Sequence, residues 1–267
     1  MPRILIDDNN WQQHAPINGR FEFNGPRIMN AVPPRLAAGS DEMIPGWSDE
    51  DFTLIPRAEW DDRIAQKDKE QSWLEDIVRG TIPCTDQNGL GYCHAYGTIA
   101  IAECQRLIQN HPFVPLSAES VGGPITGWRN RGADPTDDIK QMAQYGACPK
   151  SFMDREHSLS PGKWKEGWQA DALKYRVHEW RDMRTTRKMF DAAATMALLG
   201  IPGGLGYMWW SHYISGPYRL LKSGNKYALR NRNNWGADYG DDGFLDMVEG
   251  RGTPDWLFAG FLMTPTD

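Results

Sequence analysis

Residues 93–108 read CHAYGTIAIAECQRLI, apolar on nearly every side, and this pattern predicts a helix buried in the middle of a domain. A glycine-containing turn at 88–91 precedes it, which puts Cys93 at or near the first helical turn. Upstream, residues 61–78 carry Ile64, Trp73, Leu74, Ile77 and Val78 among charges, and Gly80 and Pro83 end whatever helix forms there. Two further helices are predicted, over 136–145 between Pro135 and Gly146, and over 185–199 closed by Gly200 and Pro202. Beyond Pro202 the texture changes to short runs (LGYMW, HYISGPYRLL, KYALRN, GFLDMV and LFAGFLM) separated by Gly, Asn, Asp and Pro, which predict antiparallel strands. Residues 1–50 hold Pro16, Pro26, Pro33, Pro34 and Pro45 and sustain neither period, so they read as an extended arm or surface wrap. No internal repeat is present.

Helices first and strands afterwards make an α+β protein of two lobes with a cleft between them. The expected division is an arm over 1–55 and one domain over 56–267, with a helical lobe at about 80–200 and a β lobe at about 201–267. The 267 residues are 40% hydrophobic, enough for one large core or two modest ones. Twelve tryptophans, among them Trp164 with Trp168 and Trp209 with Trp210, read first as core, since large aromatics dominate burial, and second as walls of an apolar groove. The net charge of −6 arises from interspersed acids and bases with no basic run to follow a phosphate backbone, so nucleic acid is not an expected partner. The longest apolar stretches, 99–102 and 196–201, fall far short of the ~20 residues of a membrane span. Residues 1–20 lack the pattern of a secretory signal, and four scattered cysteines form no CxxC pair; together these predict free thiols and an intracellular setting.

Three segments carry candidate chemistry. Cys93 at a helix start would have its thiolate favoured by backbone N–H groups and the helix dipole. Asn233, just before Trp235 and Gly236, could hold an imidazole in one tautomer while the indole keeps water off that bond. His212 opens a predicted strand beside two tryptophans. Taken singly, each reads at least as well as something bland: a packed cysteine, an Asn/Gly-rich turn, a packed histidine.

In combination they resemble the papain family of cysteine proteases. The order Gln87, Cys93, His212, Asn233 is the family's, with His212 lying 119 and Asn233 140 residues beyond Cys93, near the family's ~130–150. Asn233-Asn234-Trp235-Gly236 is similar to the family's Asn-Ser-Trp-Gly, and Tyr239-Gly240-Asp241-Asp242-Gly243-Phe244 to its Trp-Gly-Glu-x-Gly-Tyr. Leu116-Ser117-Ala118-Glu119 looks like the Leu-Ser-Glu-Gln that opens a family helix, and Asn130-Arg131-Gly132-Ala133-Asp134-Pro135 like the Cys-Asn-Gly-Gly-x-Pro whose backbone pairs with substrate. The resemblance runs from about Pro83 to Met263. It implies Cys93 as nucleophile, His212 as base, Asn233 as its orienter under Trp235, and Gln87 as an oxyanion donor. It also implies Gly91, Tyr92, Gly132 and Ala133 along a polypeptide substrate, a thioester acyl-enzyme, and no metal or organic cofactor.

The departures are specific. Leu90 and Asn130 stand where the family joins two cysteines, which fits a reducing compartment. Tyr92 replaces a small residue before the nucleophile, His94 the aromatic after it, and Ala133 a glycine. These bulky neighbours and the long arm support a rival expectation: the fold kept as a structural or binding component of a large assembly such as a virus particle, with the arm docked on another subunit. Amide hydrolysis on cell-wall peptides and acyl transfer share the same chemistry.

Overall fold

The computed structural model describes residues 3–17, 20–22, 26–28, 52–183 and 188–263. Three short strands come first, β1 (Ile4–Ile6), β2 (Arg20–Glu22) and β3 (Pro26–Ile28), the last two forming a ladder of their own. Helices α1 (Trp60–Glu70), α2 (Leu74–Val78), α3 (Cys93–Ile108), α4 (Ala118–Thr126), α5 (Pro135–Gln144) and α6 (Trp168–Ala172) follow. Then come β4 (Val177–Asp182), α7 (Met189–Leu199), β5 (Gly203–Tyr207), β6 (His212–Ser223), β7 (Lys226–Arg232), β8 (Phe244–Val248) and β9 (Trp256–Met263). The protein is α+β. Residues 185–187 of the predicted 185–199 helix, and 1–2, 18–19, 23–25 and 29–51 of the arm, lie outside the described residues.

One sheet of seven strands, in the order β1-β8-β7-β6-β5-β9-β4, organises the molecule; β1 alone runs parallel to its neighbour. The sheet is buried on both faces, and the side-chain alternation of β9 shows how. Leu257 and Ala259 join the core that holds Ala193, Ala197 and Leu198 of α7. Trp256 and Phe258 join the core that holds Tyr92, Ala95, Tyr96 and Ile99 on or beside α3. Glycine makes the second packing possible: a Cβ on Gly206 would lie 1.8 Å from the Trp256 ring, and one on Gly204 2.0 Å from the Tyr213 hydroxyl.

The segment 61–78 forms two helices. Gln71 takes a left-handed conformation (φ 51°) that ends α1, and Asp76 then accepts from the Trp73 N–H to start α2. The indole of Trp73 turns back to Asp68 at 2.7 Å. Glu75 of α2 is bound by Arg230 (2.8 Å) and Arg79 (2.6 Å), and Arg230 also grips Asp246 at 2.8 Å, tying α2 to β7 and β8. Among the described residues no helix is long and apolar enough to cross a membrane, and no group of three or more His, Cys, Asp or Glu is disposed to hold a metal.

Glu103 is the least comfortable charge on α3. It is 2% exposed, accepts the Leu116 N–H at 2.8 Å, and burial pushes its carboxyl up from 4.5 to about 7. A carboxyl whose folded value is raised binds its proton more tightly folded than unfolded, so its contribution is full below pH 4.5 and is lost as pH rises through about 7. Glu103→Gln keeps the acceptor and removes the titration. Urea melts should show the variant and the parent equal near pH 4 and the variant more stable at pH 8, by up to ~3 kcal/mol. A constant difference across that range would refute the assignment.

Candidate active site

Cys93 is the first residue of α3, with Tyr92 as its N-cap. Two local devices bring that helix start against β6. First, Gly97 lies one turn further on, and a Cβ there would fall 2.6 Å from Cδ1 of Tyr213, so the missing side chain lets α3 lie directly on the strand. Second, the loop before Cys93 is stitched to the turn after β7: Gln87 N donates to Asn234 O (2.9 Å), Gly236 N to Thr85 O (2.9 Å), and Asn234 Nδ2 to Cys93 O (3.4 Å). Positive φ at Gly236 (84°) and Gly243 (79°) shapes that turn; a Cβ on Gly243 would meet Cys84 Sγ at 2.2 Å.

His212 opens β6, immediately after a tight turn in which Trp210 N donates to Tyr207 O (3.1 Å) and Ser211 N to Met208 O (3.1 Å). Its Nε2 lies 2.8 Å from Asn233 Oδ1, the same oxygen that accepts the Asn234 N–H at 2.8 Å. An oxygen in that position makes Nε2 the protonated nitrogen and leaves Nδ1 as the basic one. The imidazole sits between indoles, with centroids 4.8 Å from Trp235 and 4.9 Å from Trp210. Cys93, His212, Gln87 and Trp235 are all 0% exposed, so this centre is closed to solvent.

Burial pushes the Cys93 thiol up to about 12, against the backbone amides of Tyr213, His94 and Cys93 itself, which favour the thiolate. Burial outweighs these amides. Gly97 of the same helix packs on the ring of Tyr213, the residue after His212, so the helix that Cys93 starts lies on the strand that His212 opens. The other thiols are free as well, and Cys84 is the half-buried one, pushed by burial to about 11.

Gln87 is turned into its own loop. Its Nε2 donates to Leu90 O at 2.5 Å, and its buried Oε1 has no hydrogen-bond partner among the described residues. The ring of Tyr92 points away from Cys93 into α4, filling the space left by Gly122 and bonding Thr126 (2.5 Å) and Arg129 O (3.1 Å). His94 likewise turns inward, its Nδ1 2.6 Å from Asp138 of α5, with burial raising the carboxyl of Asp138. Gly132 and Ala133 are half-buried on the segment leading to α5. That segment is joined to the buried Gly91 by Asn130, whose Oδ1 accepts from Gly91 N (2.7 Å) and whose Nδ2 donates to Gly89 O (3.2 Å). Sequence reasoning singled out Asn130 and Leu90 as missing cysteines; it did not foresee that Asn130 would clamp the backbone on either side of Leu90. Asn234 and Trp210, which hold Cys93 and His212 in place, also gave no separate signal.

The same arrangement of helices and sheet recurs in solved structures of cysteine proteases. Bromelain from Ananas comosus in complex with the E64 inhibitor superposes with a TM-score of 0.58 at 15% identity, over 71% of this chain and 97% of that one. Digestive procathepsin L 3 of Tenebrio molitor larval midgut gives 0.57 at 13%, over 70% and 69%. The fold is papain-like. Xylellain, a cysteine protease from Xylella fastidiosa, extends the match to 87% of this chain and 99% of its own at a TM-score of 0.53 and 16% identity. No family model and no curated protein matches the sequence, so the kinship of this papain-like chain is one of fold.

Proposed function

We propose that the protein is a cysteine-type peptidase in which Cys93 attacks the peptide carbonyl. The observation that carries this reading is the His212 to Asn233 bond at 2.8 Å under Trp235, which leaves Nδ1 as the base at the start of the strand on which the Cys93 helix packs. His212 Nδ1 takes the thiol proton and the sulfur bonds to the carbonyl carbon. The resulting oxyanion is held by the Cys93 backbone N–H and by the Gln87 amide once its Nε2 turns from Leu90 O, a kind of contact worth ~2.7–4 kcal/mol. His212 then gives its proton to the departing amine as the C–N bond breaks. Water, deprotonated by His212, releases the acyl group from sulfur. Asn233 holds the imidazole through this cycle, and the extended substrate runs along Gly132, Ala133, Gly91 and the Tyr92 backbone. The chemistry needs no metal or organic cofactor.

One observation favours a second reading. Cys93 and His212 are wholly buried and the thiol is held protonated, which fits a latent peptidase or a scaffold that retains the fold. A peptidyl epoxide probe separates the two. A peptidase takes up one equivalent, at Cys93, and loses the label in His212→Ala. Labelling at Cys84 instead, or none at any pH from 5 to 9, would favour the scaffold.

A further inference from the structure

A cavity of about 670 Å³ opens on the helical side between α4, the end of α5 and α6. None of its lining residues belongs to the Cys93 and His212 arrangement. Two of its walls are indoles set at 89° to each other, Trp128 and Trp168, with centroids 6.1 Å apart. The buried Trp164 backs both, at 5.4 Å and 5.1 Å. Trp128 is held in place at a cost. Its φ of 59° is a left-handed conformation that a bulky residue rarely takes, and its ring occupies a slot cut by Gly123, where a Cβ would fall 2.4 Å from the indole. Glycine or asparagine would make that turn with less strain, so this backbone presents an aromatic face where the turn alone does not call for one.

The rest of the lining narrows the ligand. Among the described residues no charged side chain lines the cavity, which disfavours phosphate, carboxylate or a paired ammonium. Pro124 and Pro161 add apolar surface, and Tyr145, 56% exposed, stands at the rim. Gln141 and Gln169 also line it, and their amides are donors suited to carbonyl oxygens. Aromatic faces with a few amide donors match an extended proline-containing peptide, whose rings pack on indoles, whose carbonyls accept, and whose polyproline II shape is already ordered before binding.

We propose that this cavity is an exosite for an uncharged, proline-containing stretch of extended polypeptide, held apart from the bond to be cut. As an exosite it rests on the peptidase reading; as a peptide-binding site it does not. The test uses the full chain carrying Cys93→Ala, titrated by calorimetry and tryptophan fluorescence with acetyl-(Pro)6-amide, acetyl-(Gly-Ser)3-amide and cellohexaose. The prolyl peptide should bind saturably at one site and the other two should not. Tyr145→Ala, at the exposed rim, should weaken binding about tenfold or more. Trp128→Gly, which suits the left-handed backbone, should abolish it in a chain that still folds. No binding of the prolyl peptide, binding indifferent to Tyr145→Ala, or a preference for cellohexaose would overturn the proposal. A chain that proves inert at Cys93 and still binds the prolyl peptide would remove the peptidase reading and leave the binding site standing.

Discussion

Cys93→Ala is expected to abolish hydrolysis of an internally quenched peptide, a loss of ~10⁴–10⁶-fold, while the melting profile shifts little. The size of the loss follows from removing the atom proposed to bond to substrate, as in triads where a single member carries most of the rate. The stability effect is small because the substitution deletes only a sulfur from a site closed on all sides, at ~1 kcal/mol. Asn233→Ala should reverse that balance. It leaves a nucleophile and a base and slows hydrolysis less, but it strands the buried His212 Nε2–H and the Asn234 N–H without their shared acceptor, at ~1–3 kcal/mol. Activity that survives Cys93→Ala would assign any hydrolysis to another group or to a contaminant.

Where regular period was long, the sequence was legible. The run from Cys93 to Ile108 forms α3 over those residues, and the strands after Pro202 appear as β5 to β9 within a few residues of their predicted ends. The unread elements lacked a period for physical reasons. β1 is three residues long, too short for alternation to show, yet Ile6 is fully buried in the core beneath the sheet. β4 carries register shifts between Val177 and Glu179 and between Glu179 and Trp180, so its side chains slip off a two-residue repeat. The break between α1 and α2 rests on a left-handed glutamine, a residue with no special preference for that conformation.

The candidate site divides in the same way. Cys93, His212 and Asn233 stood out through order and spacing, as did Trp235 and Gln87 through their neighbours. What the sequence withheld is contact between distant segments: Asn130 reaching back to Gly89 and Gly91, Asn234 bonding Cys93 across the lobes, Tyr92 and His94 turning inward to Thr126 and Asp138. Tyr92 and His94 read in one dimension as obstacles beside a nucleophile; in three they are packing for α4 and α5. The closure of the centre was equally invisible, because no local pattern encodes how tightly a helix start is pressed against a strand.

That pressure has a single point of control at Gly97. A methyl group there would lie 2.6 Å from Cδ1 and 2.8 Å from Cε1 of Tyr213, closer than real side chains approach. The ring has little freedom to yield, since its hydroxyl already passes 2.0 Å from where a Cβ on Gly204 would be and the residue is 1% exposed. Gly97→Ala must therefore move α3 away from β6, and with it Cys93 away from the strand that His212 opens. Overpacking of this kind costs ~1–3 kcal/mol, set against a gain of up to ~1 kcal/mol from the better helix propensity of alanine, so the fold survives with a modestly lower melting temperature. Activity should suffer far more, since misplacing reacting groups by about 1 Å costs ~100-fold. The second substitution Tyr213→Leu, which removes the ring, should restore much of the rate in the Gly97→Ala background. If Gly97→Ala left hydrolysis and probe labelling unchanged, the close approach of α3 and β6 would not be what aligns Cys93 with His212.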